Sequence, residues 1–194
     1  MTSMAAIRVH EATSGAIVPA ILCGGSGSRL WPLSRKDFAK QHVPILGGAS
    51  PFQRTLERLK GGLFATPIVV SGAGSRFMVA DQAAEIGVAS EIALEPQGRD
   101  TLAAVTLAAL LAARRDPQAI VLVMPSDHLI PDVAAFHAAA EAAARVAATG
   151  RIVTLGITPT GPSPAYGYIA PGAEIAETGA HVVDRFVEKP DAAR

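Results

Sequence analysis

Short runs of aliphatic and β-branched residues alternate along the chain with Ala- and Leu-rich runs of helical character. Residues 16–22 (AIVPAIL), 67–71 (PIVVS), 91–95 (EIALE), 119–124 (AIVLVM), 151–156 (RIVTLG) and 181–188 (HVVDRFVE) read as strands. Between them, 51–59, 75–87, 100–115 and 133–150 read as helices. The helix boundaries have chemical markers: Ser50, Asp100 and Asp132 stand where an N-cap is needed, and Gly87 and Gly150 where helices end. Arg114 and Arg115 suit the negative end of a helix dipole. Residues 157–172 break the pattern with four prolines and three glycines, and read as a loop or irregular excursion.

Strands separated by helical crossovers imply an α/β domain with a mostly parallel sheet and helices on both faces. Residues 1–15 read as a poorly ordered N-terminal extension, and 16–194 as one domain. Its last strand is followed only by KPDAAR, without a closing helix, so the domain is expected to be incomplete at its C-terminus. An edge left open after residue 188 is an aggregation hazard.

Composition narrows the class. The 194 residues carry 17 Lys+Arg against 17 Asp+Glu, which excludes a strongly basic nucleic-acid binder and an acidic disordered chain. The single cysteine, Cys23, excludes an intramolecular disulfide and a cysteine zinc cluster. No run of 18 apolar residues and no signal-peptide core is present, so the expectation is a cytoplasmic protein without a membrane partner.

Four stretches carry candidate chemistry. The first strand runs into Gly24-Gly25-Ser26-Gly27-Ser28-Arg29. Bare backbone amides in such a loop form a nest for phosphate, and Arg29 adds a planar fork of donors. An ordinary strand-to-helix turn fits the composition equally. The loop lacks the Gly-Lys-Ser/Thr of a P-loop, and Leu30 stands where a dinucleotide fingerprint needs glycine. Lys40 follows in an apolar setting that suits a fixed, partly desolvated ammonium, whereas Arg35 and Lys36 read as a solvated face. Asp127 lies two residues past the most hydrophobic strand, where α/β sheets bind ligands, and is either a Mg²⁺ ligand or a capping residue. His128 has no second ligand at metal spacing and reads as packing. Glu95-Pro96-Gln97-Gly98-Arg99-Asp100 precedes a helix N-terminus, and Glu188-Lys189-Pro190 ends the last strand. Alternation along a strand sends Glu188 and Lys189 to opposite faces unless the proline bends the chain.

Taken together, GGSGSRLWPLSRKDFAKQ, EPQGRDT, MPSDH, AYGYI and FVEKPD resemble the sugar nucleotidyltransferases, and within them the mannose-1-phosphate guanylyltransferases, from about Ile17 to Asp191. The resemblance implies a Rossmann-like nucleotidyltransferase domain that makes GDP-mannose and pyrophosphate from GTP and mannose 1-phosphate with Mg²⁺, for polysaccharide biosynthesis. It also implies roles. Leu22, Cys23, Gly24, Gly25, Gly27 and Ser28 line the nucleotide, with Gly98 and Arg99 on the base side. Arg29 and Lys40 hold the triphosphate, Asp127 the metal, and Gly167 and Glu188 the sugar; Lys189 contacts the sugar phosphate. The chain departs from the family pattern at Ala39, where proline is usual, at Asp100, where asparagine is usual, and at Ser163-Pro164-Ala165, where an acidic residue is usual. The family's second metal carboxylate and Asn-Ser-Gly sugar segment lie further along than residue 194, so the chain alone is expected to be weakly active or inactive. Two other readings stay open: a non-catalytic GTP-binding or regulatory fragment, and an enzyme for another sugar 1-phosphate. A homo-oligomer is compatible with all three.

Overall fold

The computed structural model describes residues 17–25, 32–35, 38–44 and 47–191. The expected disorder of residues 1–15 lies outside them. Four strands, β1 (Val18–Cys23), β2 (Ile68–Gly72), β3 (Glu91–Glu95) and β4 (Val121–Pro125), form one sheet in the order β3-β2-β1-β4, all parallel. β1 is paired on both sides, with Ala20 opposite Ile68 on β2 and Val123 on β4. Its Pro19 has no amide, and the ladder toward β2 begins only at Ala20, one residue later.

Alternation along the strands loads both faces. Ile21, Cys23, Val69, Leu122 and Met124 point one way, into a core with Phe52 and Leu56 of α1 (Pro51–Glu57), Val79 and Ala83 of α2 (Arg76–Glu85), and Ala140, Ala143, Ala144 and Ala147 of α4 (Val133–Ala147). Val18, Ala20, Ile68, Val70, Ala93 and Val123 point the other way, onto Ala104, Ala108 and Ala112 of α3 (Asp100–Arg115). Those alanines repeat every fourth residue, so α3 lays a smooth stripe on the sheet. The α/β architecture with helices on both faces is therefore as expected.

The helix markers mostly act as expected. Ser50 caps α1 in a reciprocal box with Gln53, and the Asp132 carboxylate accepts from the Ala135 amide at the start of α4. Asp100 does not cap α3. Arg99 holds the cap position without a side-chain bond, and Asp100 is the first helical residue, at φ +56°. The chain turns into α3 through this left-handed residue, which leaves its carboxylate in the first turn rather than ahead of it.

The C-terminal third corrects two expectations. Residues 151–156 form no strand beyond a single bridge position at Val153. Val153 packs on the core while Ile152 and Leu155 stay exposed, and a strand without a ladder partner is not a strand. The excursion 157–172 is irregular only to residue 166. β5 (Gly167–Ile175) starts inside it and pairs antiparallel with β6 (Ala180–Glu188). The register slips around Pro171, where an amide is missing from the ladder. The four residues between β5 and β6 suffice for a hairpin, whereas a parallel crossover needs about a dozen or more. The last strand therefore lies in a separate two-stranded sheet.

Candidate functional site at the carboxyl edge of the sheet

Because the four main strands are parallel, their carboxyl ends share one edge. The chain moves from β1 through β2 to β3 on one side, then crosses to place β4 on the other side of β1. The strand order reverses between β1 and β4, and α/β sheets open a binding crevice at such a point. Gly24 and Gly25 leave the end of β1 there, and Ser126 and Asp127 leave the end of β4. Both glycines are exposed, and Gly25 has φ +98°, a conformation side chains disfavour.

Lys40 reaches the loop that follows β4. It opens a 3-10 turn, Lys40–His42, and its ammonium pairs with the Asp127 carboxylate, the two side chains 34% and 26% exposed. A polar cluster lies underneath. The His42 Nδ1 lies 3.0 Å from Gln82 Oε1, and the Gln82 amide donates to the His42 carbonyl at 2.9 Å. Ser50 Oγ donates to the same Gln82 oxygen at 2.9 Å. With that oxygen accepting, Nδ1 carries the imidazole proton and Nε2 faces Cys23 Sγ at 3.6 Å as acceptor. Burial pushes the Cys23 thiol up to about 12, against hydrogen bonds to Ser126 and Gln41, so the sulfur keeps its proton and can donate. Burial also lowers the His42 pKa, which favours the neutral ring this arrangement needs. Phe52 closes the cluster edge-on to the imidazole, centroids 5.5 Å apart.

The Asp127 loop is held from below. Thr55 Oγ1 donates to the Ser126 carbonyl at 3.3 Å, and the buried Arg58 guanidinium donates to the His128 carbonyl at 2.8 Å. Arg58 lies 5.4 Å from the Phe136 ring centroid, and its own carbonyl lies 2.6 Å from His137 Nε2. His128 thus serves the site through its backbone.

Gly98 and Arg99 lie on the same edge, past β3 and exposed at the start of α3. The remaining predicted residues converge on the hairpin. Gly167 stands opposite Glu188, and the Lys189 amide donates to the Tyr166 carbonyl at 3.1 Å. Lys189 has φ +42°, so the strand's alternation breaks at this residue. Its ammonium turns back to Glu188 at 3.3 Å, and the two side chains share one side. Gly27, Ser28, Arg29 and Lys36 lie outside the described residues; Leu22 and Cys23 end β1, and Arg35 is exposed as expected.

Sequence reasoning missed His42, Gln82 and Arg58. Each stands beside another polar residue in the sequence (Gln41, Asp81 and Glu57), so nothing local marks it, and their partners lie 40 and 70 residues away. Among the described residues no three His, Cys, Asp or Glu gather into a metal cage. A single carboxylate at a crevice is still a fitting donor for a divalent ion that takes one or two carboxylates and completes its shell with substrate phosphate and water.

A model of the nucleotidyl transferase family matches residues 18–194. The chain is 50% identical over 178 residues to xanthan biosynthesis protein XanB of Xanthomonas campestris pv. campestris, covering 91% of this chain and 38% of that one. It is 42% identical over 182 residues to a mannose-1-phosphate guanylyltransferase of Escherichia coli, covering 92% and 38%. The crystal structure of mannose-6-phosphate isomerase from Helicobacter pylori superposes with a TM-score of 0.70 at 26% identity, over 90% of this chain and 61% of that one. The chain thus spans about 38% of the length of these curated relatives.

Proposed function

The chain belongs to the nucleotidyl transferase family, and from that premise we propose that it is the nucleotide-binding part of a mannose-1-phosphate guanylyltransferase acting in polysaccharide biosynthesis. The observation that carries this reading is the Lys40–Asp127 pair across the switch point, beside the Gly24-Gly25 turn. It sets a cation and an oxygen donor where the phosphates of a nucleotide would meet the sheet. The reaction needs no covalent enzyme intermediate. An oxygen of mannose 1-phosphate attacks the α-phosphorus of GTP, the bond to the bridging oxygen breaks, and pyrophosphate leaves.

The protein's task is to position two anions and offset charge that develops in flight. In this reading Leu22, Cys23, Gly24, Gly25, Gly27 and Ser28 offer backbone groups to the nucleotide, and Gly98 and Arg99 flank the base. Arg29 and Lys40 hold the phosphates. Glu188 and Gly167 meet the sugar, and Lys189 its phosphate. Asp127 would hold Mg²⁺, which supplies charge neutralisation on the triphosphate when bound. Lys40 would hold a phosphate oxygen in place of the carboxylate. A cytoplasmic setting suits these substrates.

The test is pyrophosphate release by the chain with GTP, mannose 1-phosphate and Mg²⁺, against the same mixture without the sugar. Sugar-dependent release that falls roughly 10²–10³-fold in Lys40→Ala supports the reading, that being the scale of one lost transition-state donor. Equal release by the variant removes Lys40 from the mechanism. A second reading stays open, a GTP-binding unit that does no chemistry. GTP binding without sugar-dependent release is its signature. Release that prefers another sugar 1-phosphate in a substrate panel would redirect the specificity.

A further inference from the structure

We propose that His42 and Gln82 are positioning residues for Lys40, forming a neutral hydrogen-bonded latch that presets the ammonium over the crevice. The catalytic meaning of the latch rests on the function proposed above, but its geometry does not. Lys40 sits on a turn of only three residues, with extended backbone on both sides at Ala39 and Val43. Such a turn has little internal hydrogen bonding to hold it. Its fixation comes from His42, which is fully buried and is gripped at two points by one side chain of α2. The Gln82 amide holds the His42 backbone, and the Gln82 carbonyl holds the His42 ring.

Each group in the cluster has one role. Gln82 Oε1 accepts from both the imidazole Nδ1–H and the Ser50 hydroxyl, which fixes which end of the amide faces which way. The Ser50 backbone amide is in turn taken by Gln53, whose side-chain amide donates to the Gln82 backbone carbonyl at 3.2 Å and to Glu85 at 2.7 Å. The latch thereby joins the Lys40 turn to α1 and α2 together. On the other side of the ring, Nε2 meets Cys23 at the end of β1. The lysine is therefore referenced to the strand that leads into the glycine turn. Holding a long, rotamer-rich side chain in advance removes an ordering cost from ligand binding.

The test reads Lys40 directly. Wild type, Gln82→Met, His42→Leu and His42→Asn are acetylated briefly with an amine-reactive ester. The rate at Lys40 is read by mass spectrometry against the exposed Lys189 on the hairpin. Asp127→Asn, which removes the ion-pair partner, marks the rate of a released Lys40. The expected result is a severalfold faster Lys40 in Gln82→Met and His42→Leu, approaching the Asp127→Asn rate. In His42→Asn the amide nitrogen takes the place of Nδ1–H, so the rate stays near wild type.

A Lys40 rate that is unchanged in folded Gln82→Met and His42→Leu overturns the latch, even where their melting temperatures fall. If Gln82→Met does not fold, Gln82→Ala decides: it removes both contacts to His42 without adding charge, so Lys40 should again react faster. The pyrophosphate assay adds the catalytic arm, with KM for GTP rising severalfold in Gln82→Met because the cost of ordering Lys40 then falls on binding. A wild-type chain with no release, the expectation for so short a span of the family, removes only the catalytic arm, while the labelling still decides the latch.

Discussion

Cys23 shows how a residue at the carboxyl edge of the sheet can be kept chemically quiet. Its thiol is buried at the end of β1, and desolvation raises its pKa from an ordinary 9.0 to about 12. The thiolate is the nucleophile, so the folded protein is expected to resist iodoacetamide at pH 8 and to react only on unfolding. Rapid single-site alkylation of the native chain at that pH would refute this. The same shift has a stability consequence. Above about pH 9 the unfolded chain binds fewer protons than the folded one, so stability falls with pH, on the order of 1.4 kcal/mol per unit, until the folded thiol titrates. Cys23→Ser or Cys23→Ala should flatten that alkaline limb in urea titrations. His42 acts at the other end. Its lowered pKa means the unfolded imidazole takes up a proton first, so stability is lost as pH falls through the ordinary value of 6.5. Lys40 and Asp127, which the fold brings together, were legible as candidates, Lys40 from its apolar setting and Asp127 from its place past a hydrophobic strand. His42 was not, because a buried histidine is defined by what it touches, and Gln82 is remote in sequence.

At the scale of elements, cap and periodicity signals located all four helices, since those signals are local to each helix. Strands were legible only where a neighbour exists to complete the ladder. Val153 shows the limit: RIVTLG has the composition of a strand, yet the described residues give it one bridge position. At Glu188 and Lys189 the exception to alternation holds, before Pro190. Alternation predicts opposite faces, but Lys189 leaves the strand conformation, and both charges meet. Asp100 is the matching case at α3. An L-residue in the left-handed region costs about 1–2 kcal/mol, less for Asp or Asn and nothing for glycine. Asp100→Ala is therefore expected to destabilise the chain by about 1 kcal/mol, while Asp100→Gly stays near neutral, its relief offset by the lost carboxylate at the helix's positive end. Denaturant midpoints check this, and equal midpoints for Ala and Gly would show that α3 starts with an ordinary backbone.

For the whole molecule, the described residues fall into two sheets of unequal support. The four-stranded sheet is covered on both faces, with β1, β2 and β4 carrying side chains that are almost fully buried. The β5–β6 hairpin has Val182, Val183 and Phe186 exposed along its second strand, and no residue of either strand is in the buried core. Two strands alone are marginal in water, and local opening follows the least buried units. Amides of β5 and β6 are therefore expected to exchange with deuterium orders of magnitude faster than those of β1 and β4. Comparable protection in both sheets would mean that the hairpin draws support from contacts beyond its own ladder. The hairpin carries Gly167, Glu188 and Lys189, the residues proposed to meet the sugar phosphate. A ligand that binds only the ordered hairpin must slow its exchange, by mass action on the closed form. Mannose 1-phosphate added with GTP and Mg²⁺ should then protect β5 and β6 selectively, and the effect should vanish in Lys189→Ala. Protection confined to the edge formed by β1 and β4 would leave the chain with a nucleotide site and no sugar site, which is the outcome the GTP-binding reading requires.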